Sequence, residues 1–77
     1  MPPLEALEEE LLRILCRASR PLTVEEIVEA VGWSGDRRPL RRALADLVRR
    51  GLVDKIPDYE GRVMRFRARG GGCGGEA

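Results

Sequence analysis

The stretch from Asp36 to Arg50, DRRPLRRALADLVRR, reads as one amphipathic helix with two unlike faces. At about 100° per residue, Leu40, Ala43, Leu44, Leu47 and Val48 follow the i, i+3, i+4, i+7, i+8 spacing of a core-facing stripe. The opposite side carries Arg38, Arg42 and Arg49, with Arg41 on its shoulder and small Ala45 in the middle. A helix that buries one stripe and offers guanidinium groups on the other suits a negative, grooved partner, and nucleic acid is the first candidate. Most charged helix faces are merely solvated, so the segments on either side of this one carry the decision.

Pro39 restricts where the helix begins, because a proline is tolerated only where its missing N–H would be unpaired anyway. It also biases Arg38 away from helical angles. Two starts meet the first condition: Asp36 as N-cap, or Arg38 as N-cap with Pro39 at the first helical position. The second moves Arg37 and Arg38 into the preceding turn. In both cases the helix stops at Gly51.

Upstream, Thr23-Val24-Glu25-Glu26 fits a capping box, in which the threonine hydroxyl and the glutamate three residues later satisfy each other's backbone. Val24, Ile27, Val28 and Val31 then face inward on a helix of about two turns, closed by a left-handed Gly32. Trp33-Ser34-Gly35 is a short turn, with Trp33 read as a core plug. A first helix is expected over Leu4–Ala18, entered through Pro2-Pro3. Its stripe is Leu4, Leu7, Leu11, Ile14, Leu15 and Ala18, and its early glutamates suit the positive end of the helix dipole. Glu9 and Arg13 are spaced for an i, i+4 pair, and Cys16 reads as a packing residue. Arg20-Pro21-Leu22 breaks that helix and extends the chain, leaving Leu22 available for a short strand beside a later hairpin.

Downstream, Leu52–Pro57 and Arg62–Arg69 read as two strands around Asp58-Tyr59-Glu60-Gly61. The second alternates cleanly, Met64, Phe66 and Ala68 on one face against Arg65, Arg67 and Arg69 on the other. Pro57 suits an edge strand. The glycine-rich stretch 70–77 offers nothing to bury and is expected to be a flexible tail bearing an exposed Cys73.

Seventy-seven residues place a single domain, 1–69, near the lower size limit for a self-supporting core. Modest stability and weak homodimerisation are expected. Two cysteines give neither a disulfide framework nor a metal site, and as reduced thiols they suit the cytoplasm. No basic, apolar signal segment and no span long enough for a membrane is visible. The net charge of +1 conceals an asymmetry: residues 1–34 carry three arginines against seven glutamates, whereas residues 35–77 carry eleven basic groups against six acidic ones. A basic C-terminal half points to a polyanion more strongly than the net value does.

Helix, extended piece, helix, tight turn, helix with a basic outer face, then a hairpin: in this order of elements the chain resembles the winged helix-turn-helix superfamily over residues 4–69. The most specific part is Ala43-Leu44-Ala45-Asp46-Leu47-Val48-Arg49-Arg50-Gly51-Leu52-Val53, where a recognition helix passes through a glycine into a first wing strand. It is similar to small prokaryotic regulators of the MarR, ArsR and PadR kinds, with no one of them preferred. The resemblance implies an α+β fold of three helices with a C-terminal two-stranded β-hairpin wing. It further implies double-stranded DNA as partner, with helix 24–31 across the phosphate backbone and helix 37–50 in the major groove. Arg37, Arg38, Arg41, Arg42 and Arg49 would then contact phosphates or guanine edges, and Ala45 would permit close approach or meet a thymine methyl. Ser34 and the first N–H groups of the helix would hold a phosphate. Residues 58–61 would form the wing tip with Tyr59, where Asp58 and Glu60 depart from the usual basic character and Arg62 and Arg65 compensate at the base.

An enzyme is not expected: the chain has no histidine, no phosphate-binding glycine loop and no nucleophile beside a base. Neither a cofactor, a metal nor a small-molecule effector is implied. The alternative to a DNA-binding transcriptional regulator is a protein-interaction module of the same superfamily within a transcription or replication assembly, since fold does not fix function.

Overall fold

The computed structural model describes residues 4–70, with side chains from residue 6 onward. The expected Pro2-Pro3 lead-in, Cys73 and the tail beyond Gly70 lie outside the described residues. The elements run α1 (Leu4–Arg17), β1 (Leu22–Thr23), α2 (Val24–Val31), α3 (Arg38–Arg49), β2 (Val53–Asp58) and β3 (Val63–Ala68). This is a small α+β domain of three helices and a three-stranded antiparallel sheet in the order β1-β3-β2.

The sheet corrects the two-stranded hairpin expected for the C-terminal part. Pro21 forbids helix continuation, and the extended residues before the Thr23 cap lie against β3, Leu22 opposite Phe66 and Thr23 opposite Arg65. The short strand raised for Leu22 is therefore formed, and β3 becomes the central strand. β2 is left at an edge, which accommodates Pro57 opposite Met64 without losing an inner ladder bond.

Helix ends follow local chemistry. The capping box forms as expected: Glu26 N–H donates to Thr23 Oγ1 at 3.2 Å and Thr23 N–H to Glu26 Oε1 at 2.9 Å. Gly32 closes α2 at φ 76°. At the far end of α3, Gly51 at φ 80° passes its N–H to Val48 O while Leu52 N–H reaches back to Leu47 O, both at 3.0 Å. These are the paired bonds of a Schellman stop. The start of α3 matches neither alternative. Arg37 is the N-cap and Pro39 is the second helical residue. Asp36 takes over the capping role from one position further out, accepting the Arg38 N–H at 3.0 Å. α1 ends at Arg17, one residue short of the expected Ala18.

Three stripes and the sheet close one core: Leu7, Leu11 and Leu15 from α1, Ile27 and Val28 from α2, Leu40, Ala43, Leu44 and Leu47 from α3, and Val53 and Phe66 from the strands. Val48 and Trp33 are half-buried against it, and Trp33 Nε1 donates to Asp36 O at 2.8 Å, pinning the α2–α3 turn. On α1 the expected Glu9–Arg13 pair is replaced by Arg13 with Glu10, one residue closer, at 2.5 Å. Cys16, expected as a reduced packing residue, is half-buried and is not a free thiol.

Glu8 departs furthest from the sequence reading. It falls on the inner face of α1 and is only 4% exposed. Arg50 Nη1 donates to its Oε1 at 2.7 Å, while Oε2 is buried without a hydrogen-bond partner. Burial, followed by Asp46, to which only the protonated carboxyl can donate and whose charge opposes ionisation, raises the Glu8 pKa above its ordinary 4.5 against the opposing pull of Arg50. The folded domain thus retains a proton that the unfolded chain has released. This contribution to stability is complete below the ordinary carboxyl value and is lost as pH rises through the raised one. Glu26 has the opposite sign. The Arg20 hydrogen bond and then the Thr23 backbone bring it down to about 2, so its contribution is present above 4.5 and lost as pH falls toward that value. Glu8→Gln should therefore stabilise the domain progressively relative to the parent as pH rises from 4 to 8, read as the difference between their thermal midpoints. A constant difference across that range would show that Glu8 does not titrate in it.

Candidate nucleic-acid interface

The 3.6-residue repeat that buries the α3 stripe places Arg38, Arg42, Ala45 and Arg49 on one outward face. All four are exposed. The Arg38 and Arg49 side chains are 88% and 77% accessible, so each guanidinium can be reached by a large partner. Their electrostatic states differ. Among the described residues Arg42 and Arg41 have no acidic partner. Arg38 Nε donates to both oxygens of Asp36, at 3.1 and 2.9 Å, and that contact leads the lowering of the Asp36 pKa. Arg49 Nη2 donates to Asp46 Oδ1 at 2.6 Å, the largest cause of the lowered Asp46 pKa. These exposed pairs hold their partners weakly.

Arg37 turns the other way and bonds Glu25 on α2, tying the two helices together. Ser34 is exposed and lines a cleft with Ala6, Leu7, Glu10 and Trp33 beside α1. The Arg38 N–H at the start of α3, expected to receive a phosphate alongside Ser34, is already taken by the Asp36 carboxylate.

The β2–β3 turn carries Tyr59 and Arg62 on its outside, both exposed. Arg62 adopts φ 58°, the left-handed geometry that closes the hairpin. Asp58 points back rather than outward. It accepts from Arg65 Nε at 2.8 Å and from Gly61 N–H at 3.1 Å, and its pKa is lowered chiefly by Arg65. Of the two acids at the tip, only Glu60 is therefore exposed and without an ion pair among the described residues. Arg65 is fully occupied, bonding Asp58, Glu26 and the Pro21 carbonyl, the last two at 3.4 Å. It fastens β3 to the β1–α2 junction. Arg67 and Arg69 are likewise held by Asp54, at 3.2 and 2.6 Å.

The structure thus gathers Arg38, Arg42, Ala45 and Arg49 on one surface, with Arg41 at its shoulder. Tyr59 and Arg62 stand together at the hairpin turn, whereas Arg37 and Arg65 serve as internal ties. Lys55 was missed. It is exposed, has no acidic partner among the described residues, and shares a groove with Arg41 and Arg49. Its signal was strand alternation, since Val53, Lys55 and Pro57 share a face and Lys55 lies opposite Phe66.

Among the described residues no helix is long and apolar enough to cross a membrane, and no cluster of three or more His, Cys, Asp or Glu side chains is placed to hold a metal ion. No family model matches the chain, and no curated protein matches it.

Proposed function

We propose that this chain is a winged helix-turn-helix domain that binds double-stranded DNA and serves as a small transcriptional regulator, with α3 as the recognition helix. The observation that carries this reading is the outward face of α3. Three exposed arginines surround a small Ala45, and Arg42 has no acidic partner among the described residues to compete with a phosphate or a guanine edge. The order helix–strand–helix–helix–hairpin supports it, because it is the order in which the resemblance sets a backbone-crossing helix, a recognition helix and a wing. The turn's contribution rests on Arg62 and Tyr59, since Asp58 is neutralised from within. Paired half-sites read by a weak homodimer belong to the same proposal.

The test is a titration of the folded chain with duplex DNA, single-stranded DNA and RNA over a range of salt concentrations. Duplex DNA should bind most tightly, with affinity falling as salt rises in proportion to the phosphates neutralised. A folded protein that ignores duplex DNA at low salt, or prefers single strands, defeats the proposal.

A further inference from the structure

On the shoulder of α3, an open groove of about 720 Å³ runs between that helix, the start of α2 and the inner face of the β2–β3 hairpin. Val24, Leu44, Val48, Met64 and Phe66 make its floor. Val63 and Met64 beside it are each 42% exposed, an unusual position for large apolar side chains facing one concavity. Its rim is cationic: Arg41 and Lys55 have no acidic partners among the described residues, and Arg49 stands beside them. Glu25, the carboxylate at the groove, is already engaged by Arg37.

An apolar floor between unpaired cations complements a partner with an apolar stripe flanked by carboxylates. The groove is open and walled by α3 and the start of α2, and it offers side-chain pockets along its apolar floor. Side-chain anchors at i, i+3, i+4 and i+7 on a helix fit such a surface. A small ligand would keep much of its area in water there, unlike one in a proper pocket. We infer that this groove docks an acidic amphipathic helix of a protein partner. Arg41, Ala45 and Arg49 line this groove and also belong to the α3 surface proposed for DNA, so the inference rests on a surface shared with that reading, and peptide and duplex should compete for it.

The test follows the Met64 and Val63 methyl resonances of the full chain during addition of a synthetic peptide of about five helical turns. The peptide carries leucine at i, i+3, i+4 and i+7 with glutamate elsewhere. Controls are a lysine-for-glutamate counterpart and a scrambled acidic peptide. The acidic helix should give saturable shifts, both controls should bind about tenfold more weakly or not at all, and Arg41→Ala with Lys55→Ala should weaken the acidic peptide about threefold to tenfold. Met64→Asp should abolish peptide binding. The peptide titrations contain no nucleic acid and the duplex titrations contain no peptide, which separates failure of this inference from failure of the DNA reading. Absence of saturable shifts overturns the inference, as does equal binding of either control. Methyl shifts that depend on protein concentration without peptide also overturn it, by showing that a second copy covers the groove.

Discussion

Leu44→Ala should destabilise the domain by about 2–5 kcal/mol. Leu44 is 1% exposed within the cluster built from all three helices and the sheet. Truncation removes the transfer free energy of the lost carbons and leaves a space that the surroundings fill only partly. Collapse is hindered because α3 is fixed at both ends, by the Asp36 contact at its start and by the Gly51 stop at its finish. At about 0.05–0.15 kcal/mol per residue, a chain of 77 residues has total stability on the order of 4–12 kcal/mol, so this one substitution consumes a large share. Urea or thermal unfolding, followed by far-ultraviolet circular dichroism and Trp33 fluorescence, measures it. A loss below about 1 kcal/mol would mean that the groove backing Leu44 closes over the gap.

What was legible in the sequence was what local chemistry determines. The α3 stripe, the capping box at Thr23 and the stops at Gly32 and Gly51 each depend on residues within a few positions, and all are present. The start of α3 is the instructive miss. Proline rules narrow the choice, but an aspartate acting from outside the helix is a side-chain decision they do not encode. β1 is two residues long and carries no period of its own; it exists because β3 lies beside it. Glu8 repeats the lesson at longer range. Its charge suggested the solvated start of a helix, while its phase put it on the inner stripe, beside an arginine 42 positions away. The outward arginines were visible as a helical repeat. Asp36 for Arg38 and Asp46 for Arg49 are close in sequence and open to a reading of spacing, whereas Glu25 for Arg37 and Glu26 for Arg65 are tertiary partners that spacing does not give.

The arginine face of α3 gives the second large effect, and its members should not contribute equally. Replacing an exposed charged residue here should change folding stability by no more than about 0.5 kcal/mol, so a loss of DNA affinity is separable from a loss of fold. Arg42 has no competing carboxylate among the described residues and should lose the more. Arg49 must first leave Asp46 at 2.6 Å, and breaking an exposed pair worth about 0–1 kcal/mol offsets part of what it gains on DNA. Removing a phosphate contact should flatten the salt dependence by about one unit, and removing a guanine contact should cost about 1–3 kcal/mol and relax specificity at one base. Arg42→Ala combined with Arg49→Ala should therefore bind duplex DNA far more weakly than the parent while retaining its unfolding midpoint. Fluorescence anisotropy with labelled duplex at about 0.15 M salt, where charges are screened beyond about 8 Å, reads the outcome. If the folded double variant binds as tightly as the parent, α3 is not the recognition helix. The cationic groove on its shoulder would then make protein interaction the leading account of this domain.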